Sequence, residues 1–498
     1  MVTRRAVLGA LAGTAGVRGN QKRRPNLLFI LADDHAGYVF GADGNRTAQT
    51  PNLDRLATQS TRFAQHFCNS PICTPSRQSI FTGQMPHMAG VTRLMTPLAD
   101  DKPTLAWQLR KAGYLTAVFG KMHFQKPPFP LQHGFDLPIT EYAIDHDWAA
   151  VAGARTVPPE IRTKPLPWRP FKVPARTWLN ADHLPYPRYY EGMKGTYIAR
   201  QAERFLEEHR DRPFALWVSF MEPHSPFDFP VEDRARYSSE QFPPPRVGPE
   251  DPWQIPLVFR DLTDADKRGI AAAYYTSVQF LDRNVGVVLE KLRRLNLEND
   301  TYVIYTADHG YMLGQHGRFE KHCGYDPALR IPLLMRWPGR TRQGVIADMT
   351  EHIDLPATIL DMLDVEPLPV EHGHTLRPYL EKGRMEKPRD HIFSEYLDNE
   401  EAYIRTAQYK FIYCTGTRRR TEGFVTADPT PGRYTRLYDL AHDPGEFTDV
   451  SRQHPDLVKK YEALMLKRFR DTHPDASHEP QHLGTEDALD FYLRPRDA

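Results

Sequence analysis

The sequence has no large excess of either charge, no long apolar segment and few cysteines. Its 64 basic and 63 acidic residues give a net charge of +1. This balance provides no overall attraction to nucleic acid or to an anionic membrane, although a local basic pocket remains possible. No segment after the N-terminus is long and apolar enough for a transmembrane helix. Cys68, Cys73, Cys323 and Cys414 would allow two disulfides in an oxidising compartment, but a chemical role for Cys73 would leave another cysteine unpaired.

Residues 1–22 have the pattern of an export signal. Arg4 and Arg5 precede an apolar run of 12 residues, 6–17, which is too short to span a bilayer. The paired arginines resemble the twin-arginine type, which carries folded proteins across the bacterial inner membrane. We therefore predict a bacterial protein that is exported to the periplasm or secreted, without a membrane span; a disordered basic tail is the alternative.

Four apolar runs of strand length predict the core of the fold. They cover residues 26–32, 115–119, 214–220 and 301–306, and each leads into polar, ionisable residues. Because these runs are continuously apolar, they are typical of strands covered on both faces, as in a parallel sheet. Helical patterns lie between them, over 104–112 and along an apolar face from Tyr274 to Leu292. We therefore predict an α/β fold with a mostly parallel central sheet flanked by helices.

The chain is long enough for two domains, because 498 residues exceed one ordinary hydrophobic core. The composition changes near Pro367, beyond which short apolar runs precede a helical pattern over 455–470. We predict a large catalytic α/β domain over residues 23–366 and a small C-terminal α+β domain over 367–498.

Two segments rich in proline and aromatic residues interrupt the larger domain. They cover residues 157–187 and 227–256. Long insertions of this kind commonly lie over a sheet edge, so we predict that both form walls of a pocket. Inert packing against the core is the alternative.

Cys73 lies where a helix is predicted to begin. Thr74 suits the N-cap, Pro75 the first turn, and Arg77 follows one turn later. A cysteine in this place faces the positive end of the helix dipole, which favours a thiolate or an oxyanion formed there. A buried structural cysteine beside a helix start is the alternative.

The polar residues after the apolar runs should meet at one edge of the sheet, where the carboxyl ends of parallel strands collect ligands. Three carboxylates there would repel one another unless a cation lies among them, and oxygen ligands suit Ca²⁺ or Mg²⁺. Two lysines and two histidines would form a pocket for a dianion, able to protonate a leaving oxygen. Helix capping by the paired acids, and solvated or packed lysines and histidines, are the alternatives. The residues are Asp33, Asp34, Asp308 and His309 for the cation, and Lys121, His123, His224 and Lys321 for the anion. This chemistry indicates ester hydrolysis at sulfur or phosphorus.

The segment Cys73-Thr74-Pro75-Ser76-Arg77, followed by Thr82-Gly83, resembles the signature of the type I sulfatases, which belong to the alkaline phosphatase superfamily. The resemblance extends from about residue 25 to 446. It implies an alkaline-phosphatase-like fold for the large domain. Further matching segments are Gly120-Lys121-Met122-His123, Pro223-His224-Ser225-Pro226, Asp308-His309-Gly310 and Gly317-Arg318-Phe319-Glu320-Lys321.

The resemblance implies that Cys73 is converted to formylglycine by a formylglycine-generating enzyme. One hydroxyl of the hydrated aldehyde would attack the sulfate ester, and the other would later expel sulfate. Asp33, Asp34, Asp308 and His309, with the modified residue 73, would hold one divalent cation, Ca²⁺ in our prediction, with Mg²⁺ or Mn²⁺ as alternatives. The resemblance also implies roles for the remaining residues. Arg77 would anchor the diol, and His123 would assist the nucleophile. Lys121, Lys321 and His224 would bind sulfate, and either His224 or Lys321 would protonate the departing alcohol.

Position 309 departs from the commonest pattern of the family, which has asparagine there. A histidine resembles the branch of choline-sulfatases and phosphonate monoester hydrolases, as does the segment 325–330. We predict hydrolysis of a sulfated small molecule or glycan, with sulfated sugars preferred. A phosphonate monoester or phosphodiester hydrolase and a non-catalytic protein that binds sulfated glycans are the alternatives. We expect His316, on a nearby loop, to have a packing role, and a place in the pocket lining is the alternative.

Overall fold

The computed structural model describes residues 24–124, 133–140, 144–145, 147–149, 155–417, 426 and 433–495. The predicted export signal therefore lies outside the described residues. The strands are β1 (Asn26–Ala32), β2 (Thr61–Phe67), β3 (Leu115–Gly120), β4 (Leu137–Thr140), β5 (Phe214–Ser219), β6 (Thr301–Ala307), β7 (Arg330–Ile331), β8 (Leu333–Arg336), β9 (Gly344–Glu351), β10 (His391–Tyr396), β11 (Glu401–Thr406), β12 (Tyr409–Cys414) and β13 (Tyr434–Asp439).

The α-helices of these residues alternate with the strands in the first two thirds of the chain. They are α1 (Pro51–Thr58), α2 (Cys73–Thr82), α3 (Pro86–Ala89), α4 (Leu105–Lys111), α5 (Ala175–Trp178), α6 (Lys194–Glu208), α7 (Asp264–Arg294), α8 (Asp326–Leu329), α9 (Asp354–Met362), α10 (Arg377–Lys382), α11 (Pro455–Thr472) and α12 (Thr485–Leu493). None of the helices in the described ranges combines the length and the apolar character that crossing a membrane requires.

The central sheet is mixed and mostly parallel, which confirms the predicted fold class. Its strands follow the order β4-β3-β5-β1-β6-β8-β2-β7, and β9 pairs with β2. β1 runs parallel to both β5 and β6, and β3 runs parallel to β4 and β5. The antiparallel pairs involve β8 with β6 and β2, and β7 with β2. The four predicted apolar runs form β1, β3, β5 and β6, at the centre of the sheet.

Both faces of this sheet are covered, which explains the continuous apolarity of its central strands. Leu28 and Ile30 of β1 pack on one face with residues of α6 and α7. Leu27 and Phe29 point to the other face and pack with α4, α9 and α10. Every residue of β1 is buried, so each position along the strand requires an apolar or hydrogen-bonded side chain.

The C-terminal part forms a separate sheet of four antiparallel strands in the order β10-β11-β12-β13. Apolar residues of α11 and α12 pack against this sheet, together with Met85 and Ile353 of the larger part. This is the small α+β unit that the sequence predicted. Helix α10, which follows Pro367, packs with the core of the central sheet. The division of the chain at residues 366 and 367 stays a prediction.

Candidate active site

The loops after β1, β3, β5 and β6 lie side by side at one edge of the sheet. Backbone hydrogen bonds join them: the amide of Asp33 donates to Glu222 O (3.2 Å), and that of Asp308 donates to Ala32 O (3.1 Å). The amide of Lys121 donates to Ser219 O (3.1 Å) in the same way. We name the polar residues collected here the floor: Asp33, Asp34, Cys73, Arg77, Lys121, His123, His224, Asp308, His309 and Lys321.

Cys73 is the first residue of α2 and lies in the middle of the floor. Its Sγ atom is 3.2 Å from His309 Nε2, and 3.6 Å from both Asp33 Oδ1 and Lys121 Nζ. The predicted N-cap at Thr74 is wrong, because the helix starts two residues earlier than that cap implies, at Cys73, and Ile72 occupies the cap position. The Thr74 hydroxyl donates to Leu94 O (2.6 Å) and lies 3.1 Å from His123 Nδ1.

Arg77 lies beneath the carboxylates and is completely buried. Its Nε donates to Asp308 Oδ2 (2.8 Å), and its Nη2 donates to Asp33 Oδ2 (3.0 Å). Its Nη1 donates to Ser219 Oγ (2.8 Å) and to the carbonyl oxygen of Lys121. One guanidinium group therefore links the ends of four strands and fixes the orientation of two acids.

The two lysines of the floor also pair with acids. Lys121 Nζ forms an ion pair with Asp33, and Lys321 Nζ donates to Asp34 Oδ1 (2.8 Å). Lys321 comes from the loop between β6 and α8, so this loop closes over the strand ends. The attraction to the carboxylates outweighs burial, which alone would lower the pKa of each lysine, and keeps both pKa values above the ordinary range.

The acids and histidines are spaced as ligands of a cation. Ligand atoms of Asp33, Cys73, Asp308 and His309 all lie within 4.8 Å of one another, and so do those of Asp33, Asp34, Cys73 and His224. Asp34 Oδ2 is buried and has no hydrogen-bond partner among the described residues. A buried carboxylate oxygen without a partner is costly, and a divalent cation would compensate it. The residues therefore fit a cation with mainly oxygen ligands.

The electrostatic surroundings of the first two acids differ. Burial would raise the pKa of Asp33, but Lys121 and Arg77 together hold it well below the usual range. For Asp34, burial dominates over Lys321 and His309 and raises the pKa to about 7. Two adjacent carboxylates in one site thus ionise very differently without a cation.

The expectation of a thiolate at Cys73 is wrong for the unmodified side chain. Burial raises the pKa of the Cys73 thiol, and the nearby Asp33 carboxylate raises it further, against the effect of Lys121. The positive end of the α2 dipole therefore does not lower the pKa of the thiol enough to offset its burial and the nearby carboxylate.

His123 and His224 are the two histidines of the floor that line the cavity. Burial lowers the pKa of both histidines, and the charge of Lys121 lowers them further, with Lys321 acting on His224 as well. His224 Nδ1 lies 2.7 Å from Ser225 O, so a proton on Nδ1 leaves Nε2 as an acceptor. The ring of Trp168 meets the His224 ring edge to face, at 5.5 Å between centroids.

A cavity of about 790 Å³ opens above the floor and is lined by Cys73, Lys121, His123, His224 and Lys321. The first of the two predicted wall segments does line it, through Lys164, Trp168, Phe171, Trp178 and Tyr186 among others. We name residues 155–193 the wall segment. The second predicted segment contributes Asp228, near its start, to the lining.

Two histidines behind the floor were missed by the sequence analysis. His352 Nε2 lies 2.9 Å from Asp308 O, and His66 Nε2 lies 3.1 Å from His352 Nδ1. Burial lowers the pKa of His352 to about 4, so a neutral ring supports the backbone of a floor residue. His352 follows β9, as the floor residues follow their strands. The search for polar residues after continuous apolar runs did not find His352, because β9 is partly exposed and has no such run.

Two other expectations can be compared with the structure. No disulfide joins the cysteines within the described residues, so the option of two disulfides is wrong; all four side chains are buried. His316 packs in the core, as expected. Its Nδ1 lies 2.8 Å from Asp251 Oδ1, and its ring stacks on Tyr325 at 3.9 Å between centroids.

Comparison with known proteins identifies the family. The family model Sulfatase matches residues 25–365, and the model for the C-terminal part of N-sulphoglucosamine sulphohydrolase matches residues 314–471. The choline-sulfatase of Rhizobium meliloti is 28% identical over 480 residues, which cover 91% of this chain and 87% of that protein. The N-acetylglucosamine-6-O-sulfatase of Bacteroides thetaiotaomicron is 25% identical over 527 residues, covering 94% and 90%.

The fold is also shared with solved structures. The phosphonate monoester hydrolase SpPMH from Silicibacter pomeroyi has a TM-score of 0.74 at 24% identity, and the match covers 90% of this chain and 96% of that one. At this identity the likeness concerns the fold. The matched family and its named relatives are hydrolases of sulfate esters, which argues against a non-catalytic glycan-binding protein. The chain belongs to the sulfatase family, has the alkaline-phosphatase-like fold and is a sulfuric ester hydrolase.

Proposed function

We propose that this enzyme hydrolyses sulfate esters of sugars through a formylglycine hydrate made from Cys73. The observation that carries the proposal is the position of Cys73 Sγ, within 3.6 Å of Asp33, Lys121 and His309 at the base of an open cavity. A buried structural cysteine would not be expected to face a cavity with cationic and acidic groups around it. The geminal diol of hydrated formylglycine supplies one hydroxyl for attack on sulfur and a second whose deprotonation expels sulfate.

Asp33, Asp34, Asp308 and His309 would hold the divalent cation, together with residue 73. This set fits the ligand spacing and the unpartnered oxygen of Asp34. The cation would polarise oxygen atoms at sulfur and stabilise the negative charge that develops there. Ca²⁺ is the cation we propose, because the ligands are mainly carboxylates, and Mg²⁺ or Mn²⁺ are the alternatives.

The remaining floor residues have distinct tasks in this proposal. Lys121 and Lys321 line the cavity with their ammonium groups and neutralise the sulfate oxygens. Arg77 holds Asp33 and Asp308 in place, so that it orients the cation ligands as well as residue 73. Lys321 gives a proton to the departing alcohol, or His224 does so after its Nε2 has taken up a proton, and His123 assists the nucleophile.

The sugar substrate is supported by two observations. The wall segment brings Trp168, Trp178 and Tyr186 to the cavity, and aromatic side chains of this kind pack on sugar rings. The relative from Bacteroides thetaiotaomicron is an N-acetylglucosamine-6-O-sulfatase. Export to the periplasm or outside the cell, where sulfated glycans are met, remains part of the proposal and rests on the pattern of residues 1–22.

The dependence on maturation tests this proposal. The full chain is produced in a host that lacks a formylglycine-generating enzyme, with and without co-expression of such an enzyme, and both samples are assayed on a panel of monosulfated sugars and on 4-nitrophenyl sulfate. We expect hydrolysis of sulfate esters after co-expression only. Equal activity of the two samples would exclude formylglycine chemistry.

A second candidate function is hydrolysis of phosphonate monoesters or phosphodiesters. His309 favours it, since its Nε2 lies 3.2 Å from Cys73 Sγ at the position where asparagine is commonest in the family. A parallel assay of phenyl sulfate and phenyl phenylphosphonate separates the two. We expect the higher kcat/KM on the sulfate, and a much higher value on the phosphonate would favour the second candidate.

A further inference from the structure

Glu222 is a buried acidic residue of the cavity that the proposed chemistry does not use. It lies in the loop after β5, lines the same cavity as Cys73, and is only 4% exposed. Its Oε2 atom has no hydrogen-bond partner among the residues that the structure describes. Burying a carboxylate oxygen without a partner costs free energy, so its presence in the lining of a cavity indicates a group that comes from a ligand.

The fold makes room for this carboxylate at the start of a helix. Gly195 is the second residue of α6, and a Cβ atom at this position would stand 2.7 and 2.8 Å from the two oxygens of Glu222. Any larger residue would displace the carboxylate, so the glycine is required for its position. Burial raises the pKa of Glu222 to about 7, and the amino end of α6 acts in the opposite direction by favouring a negative group. The carboxylate of Glu222 therefore lies against the start of α6, and its Oε2 has no hydrogen-bond partner among the described residues.

The charges around Glu222 favour a neutral donor over a cationic ligand. Lys164 and Lys194 line the same cavity and form ion pairs with acidic residues of its lining. Each also lies over an aromatic ring of the lining, since Lys194 Nζ is 5.4 Å from the ring centroid of Trp148 and Lys164 Nζ is 5.1 Å from that of Tyr186. A hydroxyl group can donate to the carboxylate without repulsion from these lysines.

The rim of the cavity offers an apolar surface beside this acceptor. Leu166, Trp168 and Phe171 line the cavity and are 52%, 42% and 44% exposed, respectively. Large apolar side chains exposed together at the mouth of a cavity indicate a surface for a ligand. Trp168 contacts the ring of His224, so a ligand packed on Trp168 lies next to the floor. A ring with apolar faces and hydroxyl groups at its edge suits both features.

We propose that Glu222 is a specificity-determining residue that accepts a hydrogen bond at Oε2 from a hydroxyl group of the alcohol half of the substrate. The ring that carries this hydroxyl packs on Trp168. The inference rests on the proposed sulfatase function and deepens it: the substrate is a polyhydroxylated ring, a sulfated sugar, and the hydroxyl bound by Glu222 is not the one that carries the sulfate.

The test compares substrates with and without a second hydroxyl. Matured wild-type enzyme and Glu222→Met are assayed on the best-hydrolysed sugar of the monosulfated panel and on 4-nitrophenyl sulfate, which has no hydroxyl group. We expect the variant to lose about tenfold or more in kcat/KM on the sugar, the typical effect of a hydrogen bond to a charged group, and less than about threefold on the aryl ester. Glu371→Met is the matched control, because Glu371 Oε2 also lacks a partner among the described residues but the side chain does not line this cavity.

Deoxy analogues of the same sugar sulfate identify the hydroxyl and do not depend on the variant's stability. We expect one deoxy analogue to be hydrolysed about tenfold more slowly by the wild type and not to be slowed further by Glu222→Met. Equal losses on both substrates, no loss on the sugar, or hydrolysis of the aryl ester with no sugar of the panel would overturn the inference and leave the sulfatase function intact. If the wild type hydrolyses neither class, the proposed function itself is wrong.

Discussion

The floor and the wall segment line the same cavity but differ in how their side chains are held. Arg77, Asp33 and Asp308 are fully buried and are joined by direct ion pairs, so each fixes the others. In the wall segment, Trp168 and Phe171 remain 42% and 44% exposed. Buried charges tolerate little change, whereas exposed apolar side chains can be exchanged at small cost. We infer that the floor determines the reaction and that the wall segment determines which alcohol is accepted.

The largest effect should follow from removal of the side chain at position 73. Cys73→Ala should lower kcat/KM on every sulfate ester by on the order of a thousandfold or more, because the nucleophile is lost. Cys68→Ala is the matched control, since Cys68 is equally buried but packs in the core, and should retain activity. Substantial activity in Cys73→Ala would show that the reaction does not take place at the floor.

Removal of the cation should have the next largest effect. Dialysis against a chelator should lower kcat by about a hundredfold or more on sugar and aryl sulfates alike, because the cation contributes several kcal/mol of transition-state stabilisation. Separate addition of Ca²⁺, Mg²⁺ and Mn²⁺ then shows which cation restores the rate, and we expect Ca²⁺ to restore most. Full activity after chelation, with no bound metal by elemental analysis, would contradict the cation site.

The contrast in burial predicts a contrast in stability between two arginines. Arg77→Met should lower the free energy of unfolding by about 3–5 kcal/mol, because it removes the guanidinium that two buried carboxylates share and leaves Asp33 with only Lys121. Arg176 of the wall segment also bonds to two acids, Asp182 and Asp266, but its side chain is 49% exposed. Arg176→Met should therefore cost less than about 1 kcal/mol in urea denaturation. Similar losses of unfolding free energy in the two variants would show that the difference in burial between the floor and the wall segment does not determine how much each ion pair stabilises the fold.

The smallest predicted effect concerns the wall segment alone. Trp168→Ala should lower kcat/KM on sugar sulfates by about three- to tenfold, since one aromatic contact contributes about 0.5–1.5 kcal/mol. The value of kcat on 4-nitrophenyl sulfate should change little. A loss that appears in KM would support a role of the wall segment in binding the alcohol half. An equal fall of kcat on sugar sulfates and on 4-nitrophenyl sulfate would contradict it, because Trp168 would then act through His224.

The floor could be predicted from the sequence because its residues follow easily recognised strands. Asp33, Lys121, His224 and Asp308 follow continuous apolar runs within one to four residues, and parallel pairing of those runs brings them together. The same rule missed His352, since its strand β9 is partly exposed and carries no such run. The prediction placed the start of α2 two residues too late because Thr74 has the side chain of an N-cap, but its hydroxyl bonds to Leu94 O.

The roles of the residues around the rest of the cavity depend on contacts between parts of the chain that are distant in sequence. Glu222 became notable only when the structure showed Gly195 against its carboxylate and an oxygen without a partner. Nothing in the local sequence links these positions. The two proline-rich segments looked alike in composition, yet the first supplies most of the wall and the second contributes mainly Asp228. Composition predicts that a segment is irregular, and only tertiary packing decides what it faces.

The most direct test of the central claim is the mass of the proteolytic peptide that contains Cys73, taken from the mature protein of its native host. Conversion of the thiol to an aldehyde lowers the side-chain mass by about 18 Da. The account predicts this loss in most of the peptide, with no corresponding change in the peptides of Cys68, Cys323 and Cys414. An unmodified cysteine at position 73 in fully active enzyme would contradict it.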